Sequence, residues 1–406
     1  MKLFDKDIAY GTFKYLLIGD TISNAGDRFQ KIAFPLLMYK VTDSATILSI
    51  TVVLEIIPQI ILSLILGSIL ARCNIKKVLY IDVSIATLLT AMVPLLVFLK
   101  ASYIFLMIVA MGLSAVTLVY DIVVNTTIGS MYPKDKLLQY NSLLKSARTI
   151  TKILAPSIAG VWVATLGYST IFIFNAFSFI CLLVCIKPLN FKNCFTQSEA
   201  FNIKELLFGY TEIISSKLLI ILTIVSIFIN IMMLGFNSVL VYILKHTFVL
   251  SSDIVGLVYS LSGIGSLIGA FLMTKAKENS SVRLFNKIII FSSILVLAFM
   301  VPLIFFNWKG IGICYLLISM SITVIDIIIT TLIQEKYKQP KLGFIFSALF
   351  VLSTAFAPLG SIIATSILEK ISAYGVIVFF LIADITTLCI CFYGANSLGE
   401  EEEDDV

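Results

Sequence analysis

Residues 20, 24, 27 and 31 share one face of a helix, because steps of i, i+4, i+7 and i+11 follow its ~3.6-residue period. In this sequence they are Asp20, Asn24, Asp27 and Lys31, with Arg28 beside them, inside the stretch "GDTISNAGDRFQKIAFPLL". Ile18, Ile22, Ala25, Phe29 and Ile32 lie mostly on the other sides. A second stripe, at i, i+3 and i+7, carries Lys145, Arg148 and Lys152 and is opposite in sign to the acids of the first. Glu55, Asp121, Asp326 and Asp384 add single carboxylates within apolar runs, and Asp82 lies nearer the edge of its run. Charges at the centre of a membrane span cost roughly 2.5–3.5 kcal/mol each on insertion scales, so such groups are expected to face protein or water and to pair. Any one pair, Asp27 with Lys31 or a first-stripe acid with Arg148, fits a static contact as well as a proton site. A cluster of both signs drawn from several helices fits a path for protons and polar solute groups. For Asp82 and Asp384 a packing role is the favoured reading.

The elements that position these groups are membrane spans. Over 406 residues the chain is 59% hydrophobic and 13% charged with a mean hydropathy of +1.04, far from the ~45–50% apolar and ~25% charged of soluble domains. Apolar runs near the roughly 20 residues needed to cross a bilayer recur along nearly the whole length, giving about twelve spans. They are expected near 12–40, 45–71, 78–99, 103–132, 138–166, 168–187, 218–244, 251–274, 286–306, 309–335, 341–368 and 374–394. Runs such as "FIFNAFSFICLLVCI" are apolar all round and lack the two-residue alternation of a membrane barrel, so the class is all-α and polytopic.

Lys and Arg concentrate in alternate short loops, among them Arg72, Lys76 and Lys77, Lys134 and Lys136, and Lys336, Lys338 and Lys341. The positive-inside bias then places both termini in the cytoplasm. Removing the six acids of residues 400–405 would raise the net charge from +5 to +11, an excess that this loop bias accounts for; no nucleic-acid partner is implied. The tail at 395–406 reads as a solvated, disordered end. The seven cysteines suggest neither a disulfide framework nor a metal site, the charged start has no cleavage-site pattern, and no cofactor is expected.

The longest hydrophilic interruption falls in the middle and divides the spans six and six. The expected organisation is a bundle over 1–187, a linker over 188–217 with an amphipathic helix on the membrane surface, a second bundle over 218–394, and the tail. In the linker Phe201, Leu206, Leu207, Tyr210 and Ile214 recur at near-helical spacing. An offset of 202 residues places Gly67 on Gly269, Lys134 to Lys136 on Lys336 to Lys338, and "APSIAG" on "APLGSI". These coincidences support two parallel halves. Small residues and prolines in the eighth, fifth and eleventh spans, Gly265 and Gly269, Ala155, Pro156, Ala159 and Gly160, and Ala357, Pro358 and Gly360, permit close helix approach and bending; for the eighth span ordinary packing is favoured.

Two six-helix halves, a basic loop after the second span and a Gly/Ala-Pro motif in the fifth resemble the major facilitator superfamily. The opening "IGDTISNAGDRFQKIAFPLLMYKVTDSATILSI", followed by "IIPQIILSLILGSILARCNIKK", is similar to its macrolide-efflux, drug:proton antiporter branch. The resemblance implies a major facilitator fold of two pseudo-symmetric bundles. It maps a gate-loop motif onto Gly67, Arg72, Lys76 and Lys77, with Ala71 where an aspartate is usual. It maps a helix-bending motif onto Ala155, where glycine is usual, Pro156 and Gly160, with Pro358 and Gly360 in the second half. The arginine common in the fourth span of proton antiporters is missing, and Asp121 is the only charge there.

The expectation is a monomeric, multi-pass exporter of the bacterial cytoplasmic membrane that couples efflux of an amphipathic small molecule, macrolide-like by the resemblance, to proton entry. Asp20, Asn24, Asp27, Arg28, Lys31, Glu55, Asp121, Lys145, Arg148, Lys152 and Asp326 would line its cavity. Export of a siderophore or another endogenous metabolite is the alternative within transport, and a non-transporting sensor or scaffold using the acidic tail is the alternative outside it. The only histidine is His246 and no nucleophile-base set is visible, so an enzyme is not expected.

Overall fold

The computed structural model describes residues 8–42, 45–189, 207–249, 252–274, 281–305, 307–338 and 341–404. Among them the regular structure is helical throughout. In chain order the helices are α1 (Ile8–Thr42), α2 (Ala45–Arg72), α3 (Ile75–Phe98), α4 (Tyr103–Met131), α5 (Lys134–Leu166) and α6 (Tyr168–Ile186). There follow α7 (Phe208–Ser215), α8 (Lys217–Tyr242), α9 (Ser252–Thr274), α10 (Ser281–Ile304), α11 (Trp308–Lys336), α12 (Lys341–Ala355), α13 (Ala357–Lys370) and α14 (Ala373–Asp404). A π-helical turn, Ile243–Thr247, extends α8 and contains His246 in its backbone.

Local chemistry sets the ends. Asn74 caps α3, its side-chain oxygen accepting from the N–H groups of Lys76 and Lys77 at 2.9 and 3.4 Å, donors that a helix start leaves without intrahelical partners. Pro133 precedes α5 as its cap residue. Gly167, at φ +81, turns the chain straight from α5 into α6 through the left-handed region that a side chain resists.

Counting α12 with α13, nine segments of the described chain are long and apolar enough to cross a membrane. α1 and α5 are longer still, at 35 and 33 residues, but their charges depress the hydropathy; α2 has 28 residues. The fold is therefore an all-α polytopic membrane protein.

Two expectations change. The eleventh span is two helices, broken at Phe356, because Pro358 has no N–H to continue the ladder and Leu359 instead donates to the Phe356 carbonyl at 3.1 Å. The tail is not a disordered coil through its acidic run, since the backbone of α14 stays helical to Asp404, as a glutamate-rich continuation of an existing helix can. In the linker, Phe201 and Leu206 lie outside the described residues; α7 buries Ile213 and exposes Ile214, with Leu207 exposed just before it.

The chain forms two compact units. Unit 1 holds the described parts of 1–133, 147–207 and 337–347; unit 2 holds those of 134–146, 208–336 and 348–406. In unit 1, α6 packs on α1 and α3, and α4 on α2 and α3. In unit 2, α14 packs on α8 and α10, and α11 on α9 and α10. One packing scheme is thus used twice. The core of unit 1 gathers Phe29, Phe34, Leu37, Leu106, Ala155 and Phe172. That of unit 2 stacks Phe299 on Phe380, centroids 5.7 Å apart, with Phe236 edge-on to both. Gly265 and Gly269 let α9 lie against the backbone of α11, where an added Cβ would come within 2.1 and 2.5 Å of the Leu316 and Met320 carbonyl oxygens.

Candidate functional site

α1 is a continuous helix through the polar stretch, so its stripe faces one direction into unit 1. The acids of that stripe have different surroundings. Asp20 is 1% exposed and saturated: Arg148 of α5 donates from Nε and Nη2 at 2.9 and 2.6 Å, and the Tyr120 hydroxyl of α4 donates at 3.0 Å. The third guanidinium edge, Nη1, reaches Asp121 at 2.9 Å. A planar guanidinium gripping one carboxylate through two bonds is the strong, geometry-fixing form of such a pair.

Asp27, seven residues further along α1, receives a bond from a neutral amide instead, Asn175 Nδ2 of α6 at 3.1 Å. The same nitrogen donates to Gln30 at 2.7 Å, and the Asn175 oxygen accepts from Ser178 at 2.8 Å. Thr90 of α3 closes the chain on Gln30 at 3.4 Å. Gly26 makes this possible, because a Cβ there would lie 2.1 Å from the Asn175 oxygen. Asn24 accepts from Thr151 of α5 at 2.6 Å.

Two clefts open on this surface, of ≈ 690 and ≈ 910 Å³. They share Asp27, Gln30, Lys31, Leu113 and Thr117. The first adds Asn24, Arg28, Asp82, Tyr120, Asp121 and Arg148; the second adds Phe34, Pro35, Glu55, Gln59, Ala110 and Ser114. Arg28 lies half-buried with its Nε buried and making no hydrogen bond, and Lys31 is exposed to the cleft. The backbone carbonyl of Glu55 takes the Ser114 hydroxyl at 2.7 Å. The surface therefore mixes both charge signs with apolar wall, and Asp27 lies where the clefts meet.

The structure brings Asp20, Asn24, Asp27, Arg28, Lys31, Glu55, Asp121 and Arg148 together. Along the basic stripe of α5, Arg148 meets Asp20 of α1, Lys145 pairs with Asp326 of α11 within unit 2, and Lys152 is exposed. The three lie on one face of the helix, but successive members stand about a turn apart along its axis, so Lys145 and Arg148 reach different carboxylates. Asp82 is more central than expected, 5% exposed and on the cleft wall. Asp384 is buried in unit 2 at 1%, both carboxyl oxygens without a partner. Tyr120, Thr151, Gln30 and Asn175 were missed. The available signal was Asn175 itself, an amide inside the apolar run of α6, a placement that demands partners.

Of the gate-loop residues, Gly67 packs against Phe344, where a Cβ would fall 2.4 Å from its ring. The Lys76 ammonium donates to the carbonyls of Lys187 and Leu189, both at 2.8 Å. Arg72 ends α2 and Lys77 is exposed. Of the bending motif, Ala155 is core, the surroundings of Pro156 and Gly160 lie outside the described residues, Pro358 opens α13, and Gly360 abuts α8, where a Cβ would overlap the Ile231 carbonyl. Among the described residues no three His, Cys, Asp or Glu side chains converge as a metal site would require.

No curated protein matches the sequence. Solved structures do. A bacterial homologue of the iron transporter ferroportin, in an outward-facing state, aligns with a TM-score of 0.75 at 19% identity, covering 95% of this chain and 99% of that one. The human organic anion transporter MFSD10 (TETRAN) aligns at 0.79 with 12% identity, covering 95% and 100%. FucP, a major facilitator transporter in the outward conformation, aligns at 0.73 with 10% identity, covering 95% and 97%. The profile of the Major Facilitator Superfamily matches residues 16–365; with this fold and this intramembrane polar cleft, the chain belongs to that superfamily of membrane transporters.

Proposed function

We propose that the protein is a proton-coupled secondary exporter of an amphipathic organic compound, macrolide-like in the resemblance of its opening sequence, working by alternating access in the bacterial cytoplasmic membrane. The observation that carries this reading is the contrast on α1. Asp20 is held by a guanidinium and a phenol, whereas Asp27 opens on both clefts and accepts only from an amide. A carboxyl that is not committed to a fixed cation can be neutral with a proton or ionised with a substrate cation, the exchange that antiport needs. Leu113, Phe34, Ala110 and Pro35 supply apolar contact beside it. Everted vesicles with an acid interior test this: wild-type protein should accumulate a radiolabelled macrolide, and Asp27→Asn should insert at normal abundance and lose the accumulation. Undiminished accumulation in Asp27→Asn would remove the proton role from this residue.

A second reading is favoured by Arg28, whose buried Nε makes no bond, and Lys31, exposed in the cleft. They suit an organic anion such as a siderophore or another endogenous metabolite, and the similar human protein is an organic anion transporter. Under this reading Arg28→Gln, more than Asp27→Asn, would abolish uptake of the anion.

A further inference from the structure

Asp82 is the one charged residue on the buried face of α3. That face runs through Ile75, Leu79, Val83, Ala86, Thr90 and Val93, and the steps of three and four that turn these groups inward turn the carboxyl inward with them. The side chain is nine-tenths or more buried, and its Oδ2 has no hydrogen-bond partner. It lines the first cleft, whose apolar wall is Val83, Ala86, Leu113, Val116 and Phe179.

Every base of that cleft has acids for neighbours. Arg148 is gripped by Asp20 and Asp121. Arg28 stands in the fields of Asp121, Asp27 and Asp20, and Lys31 in those of Asp27 and Glu55. Asp82 differs, because the charges that act on it are those of Asp121 and Asp27, of its own sign. α6 lines the cleft with Phe179 and brings no charge. Counting Asp20, the partner of Arg148, acids outnumber bases here by four to three. A surplus charge removed from water is costly unless an opposite charge joins it, and the surplus falls on the carboxyl that no base answers.

We propose that Asp82 is the anchor for the cationic group of the transported compound, an amphipathic organic monocation whose apolar part lies against Leu113, Val116 and Phe179. This rests on the exporter reading above and divides its work between two carboxyls. Asp82 holds the cation; Asp27, on the same cleft and near enough for its charge to act at Asp82, strengthens the hold while ionised. A proton arriving at Asp27 removes that second charge and loosens the cation, so proton and substrate compete without sharing an atom. Among the described residues no three His, Cys, Asp or Glu side chains group as a metal ion needs, and the apolar walls suit an organic cation.

The full chain, purified in detergent, would be titrated with radiolabelled tetraphenylphosphonium, a monocation with no proton of its own, with neutral triphenylphosphine oxide as competitor. Wild-type protein should bind the cation at alkaline pH and more weakly at acid pH, and an excess of the oxide should not displace it. Asp82→Asn should weaken binding at least about tenfold at every pH, yet melt at or above the wild-type temperature because an unanswered buried charge is gone. Asp82→Glu should bind within about threefold of wild type. Asp384→Asn, which neutralises a buried carboxyl of unit 2, should bind as wild type does. Undiminished binding in Asp82→Asn, an equal loss in Asp384→Asn, or displacement of the cation from wild-type protein by the oxide would overturn the proposal. Asp27→Asn should still bind but without pH dependence; a dependence that survives it would overturn the division between the two carboxyls. Binding at fixed alkaline pH needs no gradient, so the Asp82 site fails separately from the loss of accumulation expected of Asp27→Asn.

Discussion

The two units use one packing scheme with different chemistry on α1 and α8. In unit 1 the surface of α1 carries Asp20, Asp27, Arg28 and Lys31, and α4 and α5 answer with Asp121 and Arg148. In unit 2, α8 presents Phe236 and Asn237, met by Tyr315, Phe299 and Phe380, and the bond there is neutral: the Tyr315 hydroxyl donates to Asn237 at 2.5 Å. Among the described residues, neither carboxyl oxygen of Asp384 in unit 2 has a hydrogen-bond partner. Around Phe236 and Asn237 the helices of unit 2 are held by aromatic contact and an amide–phenol bond, while the ion pair of that unit, Lys145 with Asp326, joins α5 to α11.

The comparison breaks hardest at Arg148. If the ion network is what organises the inner face of unit 1, Arg148→Gln leaves Asp20 buried without its two strongest donors, a change worth about 3–5 kcal/mol for a buried pair. The expected result is loss of folded protein by size-exclusion chromatography and thermal unfolding in detergent. Asp20→Asn in the same chain should restore part of it, because the orphaned charge is gone. A singly substituted protein as stable as wild type would mean that water reaches Asp20.

Asp27→Asn sharpens the comparison from the other side. It removes no ion pair, so stability should change by less than about 1 kcal/mol, while accumulation driven by a pH gradient should fall at least about tenfold. The pair of results, stability lost at Arg148 of α5 and transport lost at Asp27 of α1, separates framework from working group. Equal losses at both positions would merge them.

Next in size is the joint of α1 and α6. Gly26→Ala would set a methyl 2.1 Å from the Asn175 oxygen, so the amide must leave its place between Asp27 and Gln30. A cost of about 1–3 kcal/mol is expected from overpacking, together with a displaced pH dependence of transport. Asn175→Leu, of similar volume and without a donor, should displace the pH dependence in the same way, because both variants take the amide from Asp27. A pH profile unmoved by either change would show that Asn175 serves packing alone.

How much of this could be read from the chain follows from the price of charge in a membrane. The α1 stripe and Arg148 stood out because each is costly there, and the opposite signs on α1 and α5 pointed to a pair. The partner of Lys145 did not, since Asp326 is 181 positions away and nothing local ties them. Asn175, Gln30 and Thr151 carry no charge, so their part in the network depends on which face of α6, α1 and α5 turns inward, a consequence of packing. Gly26 reads in sequence as one small residue among many, and only the approach of α6 gives it a task. The break at Phe356 was written in Pro358, but whether a membrane proline bends or severs its helix depends on which carbonyls find other donors.

The smallest expected effect is in unit 2, and it completes the comparison. Tyr315→Phe deletes the hydroxyl that donates to Asn237 and leaves the ring that packs on Phe236 and Tyr259. The Asn237 amide keeps its bond to the Met233 carbonyl at 2.7 Å, so only its oxygen loses a partner, at about 1 kcal/mol. Transport measured in the same everted vesicles should stay within about twofold of wild type and keep its pH profile, because no ionisable group of the cleft is touched. If Tyr315→Phe instead cost as much transport as Asp27→Asn at unchanged abundance, the neutral bond of unit 2 would belong to the working site, and the division of chemistry between the units would have to be redrawn around both α1 and α8.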